Sequence, residues 1–90
     1  MEVTGGDGLS NDGNDYVSDG GYAIDTKGTS RISGYGTLIA TGGAGGDNKE
    51  TGYNFGDGGL GSLAIDLNKI TIDSSVNATL IKGSDGSKAI

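Results

Sequence analysis

The sequence predicts an all-β fold, a right-handed parallel β-helix of two to three coils with glycine-rich turns. Three observations predict this fold class. The string TLIATGG at 37–43 recurs as TLIKGSD at 79–85, and self-similarity at a spacing of this size is the signature of stacked repeats. Short runs rich in Ile and Thr alternate with glycine-rich stretches, which is a strand-and-turn pattern. No window has the i, i+3, i+4 spacing of apolar residues that an amphipathic helix requires.

Each unit contains three short β-type runs in the same order. An Ala-Ile pair opens the first run, a run around a β-branched residue follows, and a Thr-Leu-Ile run closes the unit. The first unit contains the runs IDT at 24–26, SRIS at 30–33 and TLI at 37–39. They correspond to IDL at 65–67, KITID at 69–73 and TLI at 79–81 of the second unit. The alternation in KITID has a period of two, which is the period of a half-buried strand.

The repeated Thr-Leu-Ile runs suggest how the units pair. If they stack in register, Thr37 lies over Thr79 and Ile39 over Ile81. Such ladders of identical residues arise when successive coils wind in the same direction, and therefore indicate parallel pairing. A glycine-rich antiparallel sandwich is the main rival, because the chain contains Asp-Gly pairs, which are hairpin signals in other proteins.

The same alignment predicts which side chains form the core. Since Lys82 then takes the position of Ala40, we expect Ala40 to face solvent together with Leu38. The predicted core consists of Ile39, Ile81, Ile70 and Ile72. The Asp-Gly pairs are expected at corner turns, because Gly and Asn tolerate positive φ.

Composition limits the domain organisation and the partners. The chain of 90 residues contains 20 Gly and no Pro, Cys or His. We expect residues 1–90 to form a single domain, an excerpt of a longer array that starts and ends in mid-repeat. The net charge of -6 argues against nucleic acid as a partner, and no apolar run is long enough to insert into a membrane. No signal peptide is recognisable at 1–3.

The acidic loops are candidates for a calcium site. GGAGGDNKE at 42–50 fits the nonapeptide Gly-Gly-x-Gly-x-Asp-x-x-x of calcium-binding β-roll repeats, and SNDGNDYVS at 10–18 fits its second half. Calcium prefers carboxylate and carbonyl oxygens, which Asp12, Asp15 and Asp47 could supply. Such nonapeptides occur in tandem in a β-roll but are isolated here, so the alternative is that these are solvated turn residues. The chain requires no cofactor, and calcium is the one candidate ion.

The aromatic residues of the loops are candidates for carbohydrate binding. Tyrosine can stack on the apolar face of a sugar ring while its hydroxyl stays solvated, and Asp and Asn can bind sugar hydroxyls. The residues with this chemistry are Tyr16, Tyr53, Asn54, Phe55 and Asp57. The alternative is that the rings cover the ends of loops and small cores.

Catalysis is not expected. Without His or Cys, a nucleophile–histidine pair and thiol chemistry are both impossible. A pair of carboxylates remains, but twelve acidic residues scattered over turns form close pairs by chance.

The string ISGYGTLIATGG at 32–43, followed by a glycine-rich loop and Gly-x-x-Ala-Ile, resembles repeats of bacterial surface proteins. It is similar to the repeats of parallel β-helix carbohydrate-binding domains on the cell surfaces of Clostridia-like and gut Firmicutes. The resemblance covers roughly 20–90, and the long loop 47–60 departs from it. It implies extracellular display, on the cell surface or as a secreted protein, and binding of polysaccharide or acidic sugars, in some members with calcium along the coil.

The expected function is therefore a non-catalytic extracellular module for carbohydrate binding or adhesion, whose partner is a polysaccharide or a glycan of a host or cell surface. Two alternatives stay open: a purely structural surface or fibre spacer without a ligand, and a calcium-binding β-roll-like fragment. End-to-end self-association is a further expectation, because two to three coils leave strand edges open at both ends.

Overall fold

A computed structural model describes residues 1–10, 17–49 and 58–87. The chain forms five short strands, which are β1 (Glu2–Thr4), β2 (Ser30–Ile32), β3 (Gly36–Thr41), β4 (Ile70–Ile72) and β5 (Val76–Ile81). The described residues contain no helix.

The strands belong to two small parallel sheets. One has three strands in the order β1-β3-β5, the other pairs β2 with β4, and an isolated parallel bridge joins Ile24 to Ile65. The parallel direction agrees with the prediction. The predicted right-handed parallel β-helix is wrong, because the described residues form two separate sheets and no closed or solenoid sheet. The strands stay short because only the Ile- and Thr-rich runs form them, whereas the glycine-rich stretches between them pack in a different way.

The apolar core lies between the two sheets. Five side chains are almost completely buried, namely Leu38, Ala40, Ala64, Ile65 and Ile70. Partly buried apolar side chains surround them: Val3, Ala23, Ile24, Ile32, Ile72, Val76 and Ala78. Burying a Leu or Ile side chain, as at Leu38, Ile65 and Ile70, stabilises the fold by about 1.5–3 kcal/mol each. Part of the predicted core is confirmed, since Ile70 is 2% exposed and Ile72 packs against the cluster.

The predicted faces of β3 and β5 are wrong. Leu38 and Ala40 point into the core at 2% and 0% exposure, whereas Ile81 is 46% exposed. Ile39 is only partly buried. The error comes from the treatment of Lys82 as a strand residue. β5 ends at Ile81, so the two-residue alternation of a strand does not extend to Lys82, and the residue that pairs with Ala40 is Leu80.

The register differs by two residues from the alignment of identical Thr-Leu-Ile runs. Thr37 pairs with Asn77 and Ile39 with Thr79. The cause lies outside the strands, where Gly83 and Gly86 face the backbone of 42–46 so closely that a Cβ on either would overlap a carbonyl group. A shift by two residues would bring Asp85 to the place of Gly83, where no side chain fits. The glycines, and not the identical ladders, therefore set the register.

Three glycine-rich segments continue from β1, β3 and β5, and two others precede the bridge residues Ile24 and Ile65. We number them segment 1 (5–10), segment 2 (17–22), segment 3 (42–48), segment 4 (58–63) and segment 5 (82–87). Their backbone hydrogen bonds run between segments and recur every third residue. Gly42, Gly45 and Asn48, for example, donate to the carbonyls of Ile81, Ser84 and Ser87 at 2.8–2.9 Å. A period of three is that of the polyproline II conformation, which makes no hydrogen bonds within the segment, whereas a strand has a period of two.

Segment 3 is the centre of this bundle. Its N–H groups take three directions in turn, and each residue from 42 to 48 donates one hydrogen bond. One set goes to segment 5, as above. The second goes from Gly43 and Gly46 to the carbonyls of segment 2, at 2.8 and 2.9 Å. The third goes from Ala44 and Asp47 to side chains of segment 1. Segment 4 in turn donates to the carbonyls of Gly43 and Gly46.

Glycine is required in the bundle because it lacks a Cβ. At Gly43 and Gly46 an added Cβ would overlap the carbonyl oxygens of Gly6 and Leu9 in segment 1. The same holds at two glycines three residues apart in each of segments 1, 4 and 5, for instance Gly83 and Gly86 in segment 5. Positive φ is not the reason, because Gly34 is the only described residue that has it. The expectation that the Asp-Gly pairs form corner turns with positive φ is therefore wrong for Gly8, Gly20 and Gly86, which lie within these segments and do not have positive φ.

Two adjacent glycines allow a matched test of this packing. A Cβ at Gly5 would overlap the carbonyl of Gly21, whereas a Cβ at Gly6 meets no atom within 4 Å. We expect Gly5→Ala to lower the free energy of unfolding by about 2 kcal/mol or more, the cost of overpacking. Gly6→Ala is expected to be neutral, or stabilising by about 0.4–1 kcal/mol through the unfolded chain. Urea unfolding of both variants measures this, and equal losses would contradict the packing argument.

Candidate functional site

The two long connections leave the bundle at the same end. Segments 1, 3 and 5 lead away from the three-stranded sheet, and segments 2 and 4 return. The end of segment 3 touches the ends of both other outgoing segments, because Asp47 N donates to Ser10 Oγ at 2.9 Å and Asn48 N donates to the carbonyl of Ser87 at 2.9 Å. Gly58, at the start of segment 4, lies against Ser87. The connections 11–16 and 50–57 therefore begin and end side by side, at what we call the distal end.

Asp47 is the side chain that ties the distal end together. Its Oδ1 accepts a hydrogen bond from the backbone N–H of Ser87 at 2.9 Å, while its own N–H bonds Ser10. A single residue of the central segment thus connects segments 1 and 5. The predicted calcium ligand has a structural partner for one of its carboxylate oxygens.

Other aspartates make the same kind of bridge between segments. Asp7 Oδ1 accepts from Ala44 N at 3.1 Å, and Asp19 Oδ1 accepts from Leu60 N at 2.7 Å. Asp85 Oδ1 accepts from Gly61 N at 2.9 Å. These side chains use the N–H groups that have no carbonyl opposite them. Sequence reasoning missed this role, although each of the three aspartates directly precedes a glycine in a glycine-rich segment.

The pKa of Asp85 is lowered from its ordinary value of 3.8. The hydrogen bond from the Gly61 N–H is the main cause, since it favours the charged carboxylate. Lys82 contributes as a second hydrogen-bond donor and as a positive charge, with Nζ 3.1 Å from Asp85 Oδ1.

Most of the residues predicted to bind a ligand lie outside the described residues. They are the carbohydrate candidates Tyr16, Tyr53, Asn54, Phe55 and Asp57 and the metal candidates Asp12 and Asp15. Asp47 is the one predicted site residue within the described part of the chain. The described residues that flank 11–16 and 50–57 lie at the same end of the bundle.

The described residues contain no cluster of three or more acidic, His or Cys side chains arranged to hold a metal ion. Within the same ranges, no helix has the length and apolar character to cross a bilayer.

Exposed apolar side chains lie in two other places. A groove of about 320 Å³ lies beside the open edge of β5 and is lined by Leu63, Leu67, Leu80 and Ile81 among others. Near the opposite end of the sheet, Tyr35 follows the positive-φ Gly34 and is 98% exposed. Tyr35 therefore has no packing role, which makes it a useful control for the candidate residues Tyr16 and Tyr53.

The chain has no match among protein-family models, curated proteins or solved structures.

The pKa of Asp85 predicts how stability depends on pH. Because the folded-state pKa lies below the unfolded value of 3.8, the charged carboxylate stabilises the fold at higher pH, and this contribution is lost as the pH falls through the folded-state pKa. We expect the Tm of the wild type to exceed that of Asp85→Asn above about pH 5, and the difference to disappear as the pH falls well below 3.8.

Lys82→Gln is the control in these melts. The Gly61 N–H lowers the pKa of Asp85 more than Lys82 does. At neutral pH the Tm of Lys82→Gln should therefore stay closer to that of the wild type than to that of Asp85→Asn. Parallel acid dependence of the wild type and Asp85→Asn would contradict the assignment.

The role of Asp47 can be tested by two substitutions. Asp47→Ala leaves the Ser87 N–H without its acceptor and should lower the free energy of unfolding by about 1 kcal/mol. Asp47→Asn keeps an acceptor oxygen and should lower it less. Both effects should appear in urea unfolding with a calcium chelator present. If instead both variants lost stability equally, and only in buffer with calcium, the carboxylate would be a metal ligand.

Proposed function

We propose that the chain is a non-catalytic binding module that uses its distal end to bind a polysaccharide or a cell-surface glycan. The observation that supports this proposal is that both long connections depart from one end of the bundle, beside Asp47 and Ser87. These connections read NDGNDY and ETGYNFGD. They combine aromatic rings with carboxylates and amides, the groups that stack on sugar rings and bind sugar hydroxyls.

The bundle beneath the connections is suited to such a role. Binding sites in many proteins are carried on loops whose ends are held by a rigid scaffold. Here the ends are held by backbone hydrogen bonds of 2.7–3.0 Å between neighbouring segments, and by side-chain bridges from Ser10 and Asp47. Changes of sequence within 11–16 or 50–57 leave these bonds untouched, so the ligand specificity of the module can vary without loss of the fold.

The resemblance of 32–43 to repeats of bacterial surface proteins supports the same proposal and extends it to the location. A module of this kind acts outside the cell, on the cell surface or in secreted form. Calcium stays a secondary proposal, with Asp12 and Asp15 as ligands, since one oxygen of Asp47 bonds Ser87.

A glycan array provides the test. The wild type should bind at least one class of polysaccharide, and the double variant Tyr53→Ala, Phe55→Ala should bind it about tenfold more weakly or worse, which corresponds to about 1.4 kcal/mol of lost binding energy. Tyr35→Ala removes an exposed ring far from the distal end and should bind like the wild type. The proposal fails if the wild type binds no glycan, or if Tyr35→Ala weakens binding as much as the double variant does.

A structural role without a ligand is the second candidate. It is favoured by the open strand edges of β1 and β5 in the three-stranded sheet, which are suited to contacts between molecules.

A further inference from the structure

The three-stranded sheet has two open edges that are related to each other. Its order is β1-β3-β5, so β1 and β5 each have a partner on one side only among the described residues. Both pairings are parallel. The open edge of β1 is therefore equivalent to the edge of β5 that pairs with β3. A further strand in the same direction could pair with the open edge of β5 as β5 pairs with β3.

The backbone groups at these edges are complementary. Bonding alternates along a strand, and Ile81 bonds to the β3 side by accepting from Gly42 N. The N–H and C=O of Leu80 must therefore face the open side. On β1, Gly5 N donates to Thr41, so the N–H and C=O of Thr4 face the open side there.

The glycine-rich segments extend this complementarity beyond the strands. Gly42 and Gly45 of segment 3 donate to Ile81 and Ser84 of segment 5. The register Thr41↔Ile81 makes Lys82 and Asp85 the corresponding donors of segment 5, and no partner of their N–H groups is found among the described residues. They form a row of donors on the open side.

The acceptors that match these donors lie at the other edge. Thr41 and Ala44 accept from Gly5 and Gly8 of segment 1, and the register Thr4↔Thr41 gives Thr4 and Asp7 as the corresponding carbonyls of segment 1. The spacing of three residues between Thr4 and Asp7 equals that between Lys82 and Asp85.

The side chains at the two edges fit in the same register. The pairs Val3↔Ala40 and Ala40↔Leu80 form one row on the core side of the sheet. A further β1 in this register would set its Val3 beside Leu80, which is 38% exposed in the single chain. An apolar pair would then continue the row and remove apolar surface from water.

We propose that the open edge of β5 and segment 5 binds the open edge of β1 and segment 1 of a second copy of this chain, in parallel and head to tail. When two copies pair, each still has one open edge that can bind another copy. The contact therefore does not close on itself and generates linear chains of molecules. The proposal is independent of glycan binding, because the distal-end residues take no part in it.

Two proline variants block one edge each without removing a hydrogen bond within the chain. Thr4→Pro removes an N–H at the β1 edge, and Leu80→Pro removes one at the β5 edge, both on the open side. Proline is tolerated at such positions of edge strands. Sedimentation velocity from about 10 μM to about 1 mM covers the range of weak association.

The wild type should show an average mass that rises with concentration beyond that of a dimer, and each variant alone should remain a monomer. An equimolar mixture of the two variants should form a dimer and nothing larger, because each supplies the edge that the other lacks. Gly36→Ala, at a position where a Cβ meets no atom within 4 Å, should behave like the wild type.

Three outcomes would overturn the proposal: a wild type that stays monomeric throughout, a Thr4→Pro variant that still dimerises alone, or a mixture that stays monomeric although both variants are folded by circular dichroism. If Leu80→Pro does not fold, Leu80→Lys takes its place, since a lysine at a strand edge blocks pairing and leaves the backbone unchanged.

Discussion

The close approach of extended glycine-rich segments is the constraint on which the rest of the structure depends. Segment 3 is surrounded by the four other segments, and each of its N–H groups from 42 to 48 bonds one of three neighbours in turn. This arrangement requires backbones so close that a Cβ at Gly43 or Gly46 would overlap a carbonyl oxygen. The bundle is thus held by backbone hydrogen bonds, in contrast to the apolar cluster between the two sheets.

The same constraint determines the sheets. The positions of Gly83 and Gly86 against segment 3 fix how segment 5 lies, and β5 enters segment 5 without a break. The register of β5 on β3 follows from this, because in a parallel pair a strand cannot slide without moving the segment that follows it. Glycines outside the sheet therefore determine which residues of β3 and β5 lie opposite each other.

The constraint also assigns roles to the acidic residues. In a bundle of polyproline II type, one N–H direction in three often meets no carbonyl, and the aspartates of neighbouring segments supply the acceptors. Asp85 illustrates the consequence, since the Gly61 N–H lowers its pKa. A strongly acidic composition therefore reflects in part how the backbone is satisfied.

The sequence by itself determined that the described chain is built from short β-type runs with parallel pairing, and that Ile70 and Ile72 belong to the core. It also drew attention to the two acidic connections. Only the tertiary structure decided the register of β5, the faces of β3 and the role of the glycines. The physical reason is that identical strings such as Thr-Leu-Ile record local preference, whereas the fit of Gly83 and Gly86 against another segment depends on contacts about 40 residues apart, and no local pattern contains that information.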